Sequence, residues 1–245
     1  MEVTKSKNVA AEGEEPKYES YTELETLNSM VPLWQKAKKD VTEEEYEELV
    51  DYAIDIGVEN GFIQGDIDKA FDATTANCGD HIYEKMVSGA YQGSVICMTV
   101  KKAAEDGLFS AETAARIAAV ENFTMRQIDE FSDAPAGDNF IASLAANEAD
   151  RETIYDIVDA SFERAARMVC VNFAGIMIHI GAGKDKSKPV CISAEGTTFY
   201  KSVLFRPKLD KYVAEFINGK LGLYCEFIKV EDATLIGSAV AGLLN

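Results

Sequence analysis

Ile82-Tyr-Glu-Lys-Met-Val-Ser-Gly-Ala-Tyr-Gln-Gly93 combines a helical apolar repeat with closely spaced glycines. Ile82, Met86 and Ala90 recur at helical spacing, and Val95, Met98 and Ala103 carry the same period onward. The pattern predicts helix from about Asp80 to Gly107. Ser110 can cap a short helix over 111–120, and Thr124 another that ends before Pro135. Upstream, Asp66, Asp68 and Asp72 are close enough to suggest a calcium loop. The turn glycine and closing glutamate of such a loop are not at the right positions, so they read as a polar connector.

Further along, apolar residues at helical spacing from Ile154 to Ala166 predict a long helix over about 150–180, with Gly181 after its end. Gly181-Ala-Gly-Lys184 lacks the spacing and the Ser/Thr of a phosphate loop, and reads as a helix cap followed by a solvated loop. Pro189-Val-Cys-Ile-Ser is a strand candidate, Gly196 turns the chain, and Phe199-Tyr200 reads as a second extended piece. A helix over 206–218 stopped by Gly219, a strand over 222–230 and a helix over 233–243 complete the pattern, with Glu231 and Asp232 at the last helix's positive end. Strand, helix, strand, helix predicts an α/β layer preceded by a helical insertion.

The front is different in kind. Residues 1–60 hold sixteen acidic and six basic side chains, or −10 of the chain's −18. Residues 1–20 are too polar to offset the entropy of ordering them and are expected to be a disordered acidic tail. Thr42 and Glu45 make a capping-box pattern ahead of Tyr46, Leu49, Val50, Ala53 and Ile54, which predicts an amphipathic helix over 42–57. So acidic a chain, with no local basic concentration, is expected to bind neither nucleic acid nor anionic membrane. No run approaches the roughly 18 apolar residues of a membrane span, and the start has no apolar signal core, so a cytoplasmic location is the default expectation. The five cysteines have no CxxC pair and read as reduced thiols. Cys97, Cys170, Cys191 and Cys225 sit in apolar runs, where cysteine packs as a small hydrophobe. His81 and His179 are isolated and receive no catalytic role; no metal site is expected.

Asp72-Ala-Thr-Thr-Ala-Asn, followed by the aromatic-Glu-Lys-Met-apolar-Ser-Gly-x-Tyr-x-Gly pattern of residues 83–93, resembles the sugar-binding segment of hexokinases. Gly-Leu-Phe at 107–109, the Thr124 region, Ala-Glu-Gly-Thr-Thr-Phe-Tyr-Lys at 194–201 and Glu231-Asp-Ala-Thr-Leu-Ile-Gly-Ser-Ala-Val-Ala-Gly242 resemble family segments in the same order. The ending is similar to bacterial members. The resemblance implies an actin/hexokinase-like (ribonuclease H-like) α/β large lobe, incomplete and helix-rich, with short strands toward the C-terminus. It also implies that Glu84 accepts hydrogen bonds from sugar hydroxyls, a role suited to a carboxylate with about four acceptor sites. By the same resemblance Gly89, Ala90, Thr124, Gly196, Thr197, Thr198 and Lys201 face ATP, with Mg as its companion ion. Packing and capping are the alternative roles for these residues. Glu195-Gly196 stands where the family usually has Asp-Gly.

Other family parts have no counterpart in the sequence: the Gly-Gly-Thr and Gly-Thr-Gly phosphate loops, the Asn-Asp pair that supplies the catalytic base, and a second sugar-binding glutamate. No residue is therefore assigned as catalytic. Instead, Leu24-Glu-Thr-Leu-Asn-Ser-Met-Val-Pro-Leu-Trp and Asp40-Val-Thr-Glu-Glu-Glu-Tyr46 resemble the linker to middle-domain junction of ninety-kilodalton heat-shock chaperones. The expected organisation is a tail over 1–20, a helical front unlike hexokinase over 21–64, and the carboxyl-terminal part of a hexokinase large lobe over 65–245, joined as a fusion. The expected function is that of a truncated ATP:hexose phosphotransferase of carbohydrate metabolism and glycolysis, inactive alone, with glucose and ATP as partners. Its exposed half-cleft invites self-association. The alternative is a non-catalytic folded remnant or a sugar- or nucleotide-binding interaction module.

Overall fold

The computed structural model describes residues 3–6, 18–21, 64–194 and 196–229. Strands β1 (Val3–Ser6) and β2 (Tyr18–Tyr21) pair antiparallel, with Val3 opposite Tyr21. These residues are therefore extended and paired where composition predicts disorder; tyrosine favours a pleated strand despite the polar surroundings. The helices expected over 42–57 and 233–243, with Glu231 and Asp232, lie outside the described residues.

The Asp66–Asp72 segment is helix α1, not a polar connector. Asp68 and Asp72 are only 3% and 7% exposed. Each carboxylate is buried because it has a cationic partner: Arg164 grips Asp68 through two bonds of 2.7 and 2.9 Å, and Lys85 lies 2.6 Å from Asp72. The helix expected over 80–107 is two helices, α2 (Ile82–Val87) and α3 (Gly89–Glu105). Ser88 breaks them by taking an extended conformation, and its hydroxyl accepts the Ala90 amide as an N-cap.

Helices α4 (Ala111–Ala118) and α5 (Met125–Asp133) start where Ser110 and Thr124 predict, with Gln127 completing a capping box at Thr124. Short α6 (Phe140–Leu144) is capped by Asn139, a signal that apolar spacing does not carry. The 33-residue α7 (Glu148–Ile180) begins at Asn147 and ends at Gly181, whose φ of 67° is the left-handed cap that glycine adopts without strain. Ile154, Val158, Phe162, Ala165 and Ala166 line its buried side, as the spacing predicts. The main core gathers around them, with Ile96 and Val100 of α3, Ile128 and Phe131 of α5, and Leu209 and Ile217.

After α7 the chain is not a fully solvated loop. Gly183 is buried, with φ 79°, and its carbonyl accepts the Tyr224 amide at 2.7 Å. A Cβ there would lie 2.6 Å from Met177 Cε and 2.8 Å from the Tyr224 carbonyl, so the closeness of this joint requires glycine. Strand β3 (Val190–Ser193) follows, then α8 (Thr197–Lys201) and α9 (Phe205–Tyr212). The Phe199-Tyr200 piece is thus helical, not extended. A helical turn buries Phe199 against Phe205 and Phe227, with ring centroids 6.5 and 5.1 Å away. The helix from Phe205 does not stop at Gly219: it continues π-helically as Val213–Lys220.

Strand β4 (Cys225–Ile228) pairs parallel with β3, Val190 opposite Cys225 and Ser193 opposite Ile228. A helical crossover between parallel neighbours is the α/β unit that the element order predicts. Cys191 departs from the core role expected of it, being exposed on the outer face of β3 with its thiol 3.2 Å from Glu226. Cys97 and Cys170 are buried. Among the described residues, no helix is long and apolar enough to cross a membrane.

Candidate sugar and nucleotide site

Glu84 lies in the first turn of α2, on the side opposite buried Ile82, Lys85 and Met86. Its side chain is 54% exposed, and its carboxylate is 3.8 Å from His81 Nδ1. His81 itself precedes the helix at φ 53°, the one left-handed non-glycine residue among those described. Glu84 is thus a largely free acceptor on a short helix whose seat is set by its neighbours.

Five residues on, the other predicted residues begin to meet. A Cβ on Gly89 would fall 2.1 Å from Thr198 Oγ1, so the first residue of α3 lies directly against α8. One turn later, a Cβ on Gly93 would fall 2.2 Å from the Phe123 carbonyl oxygen, which brings the segment entering α5 onto the same helix. Two glycines four apart on α3 therefore draw Thr198 and the Thr124 loop to its N-terminal end. The positive end of this 17-residue helix faces that junction, with partial charge favourable to anions.

Not every predicted residue is equally free to act. The Thr124 hydroxyl accepts the Gln127 amide at 3.3 Å and so serves as a cap, while exposed Ala90 offers its amide to Ser88 Oγ at 3.3 Å. Gly196, with φ 106°, is the turn that starts α8, and Thr197 is exposed beside it. Lys201 closes α8 and is exposed. It acts electrostatically on Asp129 of α5, whose carboxyl burial pushes above its usual range while Lys201 opposes the shift. Asp129 Oδ1 is buried with no hydrogen-bond partner among the described residues.

Sequence reasoning missed Gly93, Asp129 and Lys85. Lys85 carried a signal: it falls three residues after Ile82, on the apolar face, where a lysine is out of place unless paired. Among the described residues no three His, Cys, Asp or Glu side chains group so as to hold a metal ion. The helix N-terminus and the Thr198 hydroxyl are groups of the kind that suits phosphate oxygens.

The Hexokinase family model matches residues 36–244. The chain belongs to the hexokinase family. That match begins ahead of the motifs that start near Gly65, and its first part falls outside the described residues. A chloroplastic hexokinase-2 from Nicotiana tabacum is 25% identical over 200 residues, covering 76% of this chain and 40% of the relative. A hexokinase of Schistosoma mansoni, solved in complex with glucose, superposes with a TM-score of 0.56 at 16% identity, over 71% of this chain and 40% of that one. The likeness fixes the fold as the hexokinase one, here as an incomplete, helix-rich lobe. The chain spans about two fifths of the length of these hexokinases. The chaperone protein HtpG of Clostridium perfringens is 48% identical over 46 residues, 19% of this chain and 7% of the chaperone.

Proposed function

We propose that this chain carries the carboxyl-terminal part of a hexokinase large lobe and contributes one wall of a glucose and ATP cleft. Glu84 is the sugar-binding carboxylate. Gly89, Ala90, Thr124, Gly196, Thr197, Thr198 and Lys201 form the side that takes ATP with its Mg. The observation that carries the reading is the contact of Gly89 with Thr198: two segments more than a hundred residues apart, each predicted to face nucleotide, meet at a helix N-terminus.

On its own the chain turns over no hexose. Phosphoryl transfer needs backbone amides around the phosphates and a base for the attacking hydroxyl, and neither is legible in the sequence. The free thiols support a reducing, cytoplasmic location. The HtpG likeness supports a fusion of a chaperone-like front to a hexokinase-like body. Self-association through the uncovered half of the cleft belongs to the same reading.

Calorimetric titration of the purified chain with glucose and, separately, with Mg-ATP tests the proposal. Saturable heat with either ligand is the expected result. Silence toward both at millimolar concentration would leave a folded remnant in which hexokinase describes descent alone. A coupled assay for glucose phosphorylation is expected to stay at background; measurable turnover would show that the chain holds a base after all.

A further inference from the structure

Lys85 is buried to 3% of its side-chain surface, next in sequence to the largely exposed Glu84. Its ammonium has three donors and uses each: Asp72 Oδ1 at 2.6 Å, Thr75 Oγ1 at 2.9 Å and the Asn77 carbonyl at 2.7 Å. The second Asp72 oxygen accepts the Gly79 amide at 3.0 Å and the Cys78 thiol at 3.4 Å. The loop between α1 and α2 is therefore wrapped around one ion pair. It has no regular structure of its own, yet the Thr75 hydroxyl, the Asn77 carbonyl, the Cys78 thiol and the Gly79 amide are all oriented from this single centre.

We propose that Asp72 and Lys85 are positioning residues for the Glu84 carboxylate, fixing the loop over 73–81 beneath α2 and thereby the direction in which Glu84 leaves the helix. This rests on the reading of Glu84 as a sugar ligand. Helix α2 has six residues, too few to hold a register unaided, and its entry through left-handed His81 leaves that register to be set from outside. Lys85 shares the inward face with Ile82 and Met86, so wherever its ammonium is anchored, Glu84 is turned about 100° away along the helix. At the other end, the buried Gln92 amide donates to the Met86 carbonyl and stops α2 from sliding. An apolar pair of equal volume would serve stability as well. It would not orient the Gly79 amide, the Thr75 hydroxyl and the Asn77 carbonyl, which close the loop onto the helix.

The test is a double-mutant cycle on glucose binding in the full chain, read by NMR shift titration, with far-UV circular dichroism as the folding check. Asp72→Asn keeps the shape of the side chain and removes its charge. It is expected to weaken glucose binding about tenfold in the otherwise native chain and to have little further effect beside Glu84→Gln, because the lost orientation then has nothing to orient. Asp72→Glu, which keeps the charge, is expected to recover part of the affinity. Should Asp72→Asn fail to fold, Thr75→Val removes one of the three Lys85 acceptors and is read in the same cycle. Equal loss in both backgrounds, or no loss in the native background, overturns the inference while leaving Glu84 as the sugar ligand. If the native chain gives no saturable shift with glucose, or Glu84→Gln binds glucose as the native chain does, the reading of Glu84 fails and the inference falls with it.

Discussion

Asp150 shows how one side chain can hold two helix starts together. Its Oδ2 accepts the Ser110 and Thr113 hydroxyls, each at 2.5 Å, and the Asn147 side-chain amide at 2.8 Å, while Oδ1 accepts the Ser110 backbone amide at 3.0 Å. The caps of α4 and α7 thus converge on a residue that is 5% exposed. Burial raises its pKa, but the bonds from Ser110 and Thr113 outweigh burial and hold the carboxyl below its ordinary value. A depressed folded-state pKa contributes stability above the unfolded carboxylate value, and that contribution is lost as pH falls through the folded value. Asp150→Asn is accordingly expected to cost about 2 kcal/mol at pH 7, as measured by urea unfolding. The difference from the native chain should shrink as pH drops below about 4, where an unfolded aspartate becomes protonated. A difference that stays constant from pH 7 to pH 3 would show that the charge contributes nothing.

Between elements, the glycines of α3 set the packing. Gly89 meets a threonine side chain, whereas Gly93 meets the backbone carbonyl of Phe123. A side chain can rotate away and a backbone cannot move without shifting its neighbours, so Gly93→Ala is expected to destabilise by about 3 kcal/mol and Gly89→Ala by about 1 kcal/mol. Thermal unfolding of the two variants checks the order. Gly89→Ala should also weaken Mg-ATP binding more than glucose binding, since it pushes on Thr198 and leaves α2 alone. These contacts explain which parts of the fold the sequence made legible. Helices α4, α5 and α7 announce themselves because their caps, Ser110, Thr124 and Gly181, are local signals. The break at Ser88 is not legible from apolar period, because Ile82, Met86 and Ala90 keep the same phase across it. α3 starts afresh at Ser88, whose hydroxyl caps it, and its first residue, Gly89, lies against Thr198. Helix α8 is hidden from local pattern by tertiary contact, its turn burying Phe199 against Phe205 and Phe227. The candidate site shows the same division: the motif around Glu84 is visible in the sequence, but the Asp72 to Lys85 centre beneath it joins residues thirteen apart, across a loop without periodicity.

At the scale of the whole molecule, the sheet is the informative part. Parallel strands are normally buried within larger sheets and covered on both faces, yet β3 and β4 form a two-stranded sheet among the described residues. Every residue of the pair is half-buried or exposed, and none is fully buried. The backbone makes a specific prediction. The Val190 amide donates to the Tyr224 carbonyl at 2.9 Å and the Ala194 amide to the Ile228 carbonyl at 3.0 Å, so these groups point toward β4. Strand geometry turns the alternate amides of Cys191 and Ser193 the other way, to the side on which no strand pairs with β3 among the described residues. Hydrogen exchange followed residue by residue should therefore find Val190 and Ala194 protected, while Cys191 and Ser193 exchange at rates close to those of an unfolded peptide. Protection of all four amides in dilute solution would mean that another strand already covers β3. In that case the protection of Cys191 and Ser193 should fall on dilution if the covering strand comes from a second copy, and hold constant if it belongs to the same chain.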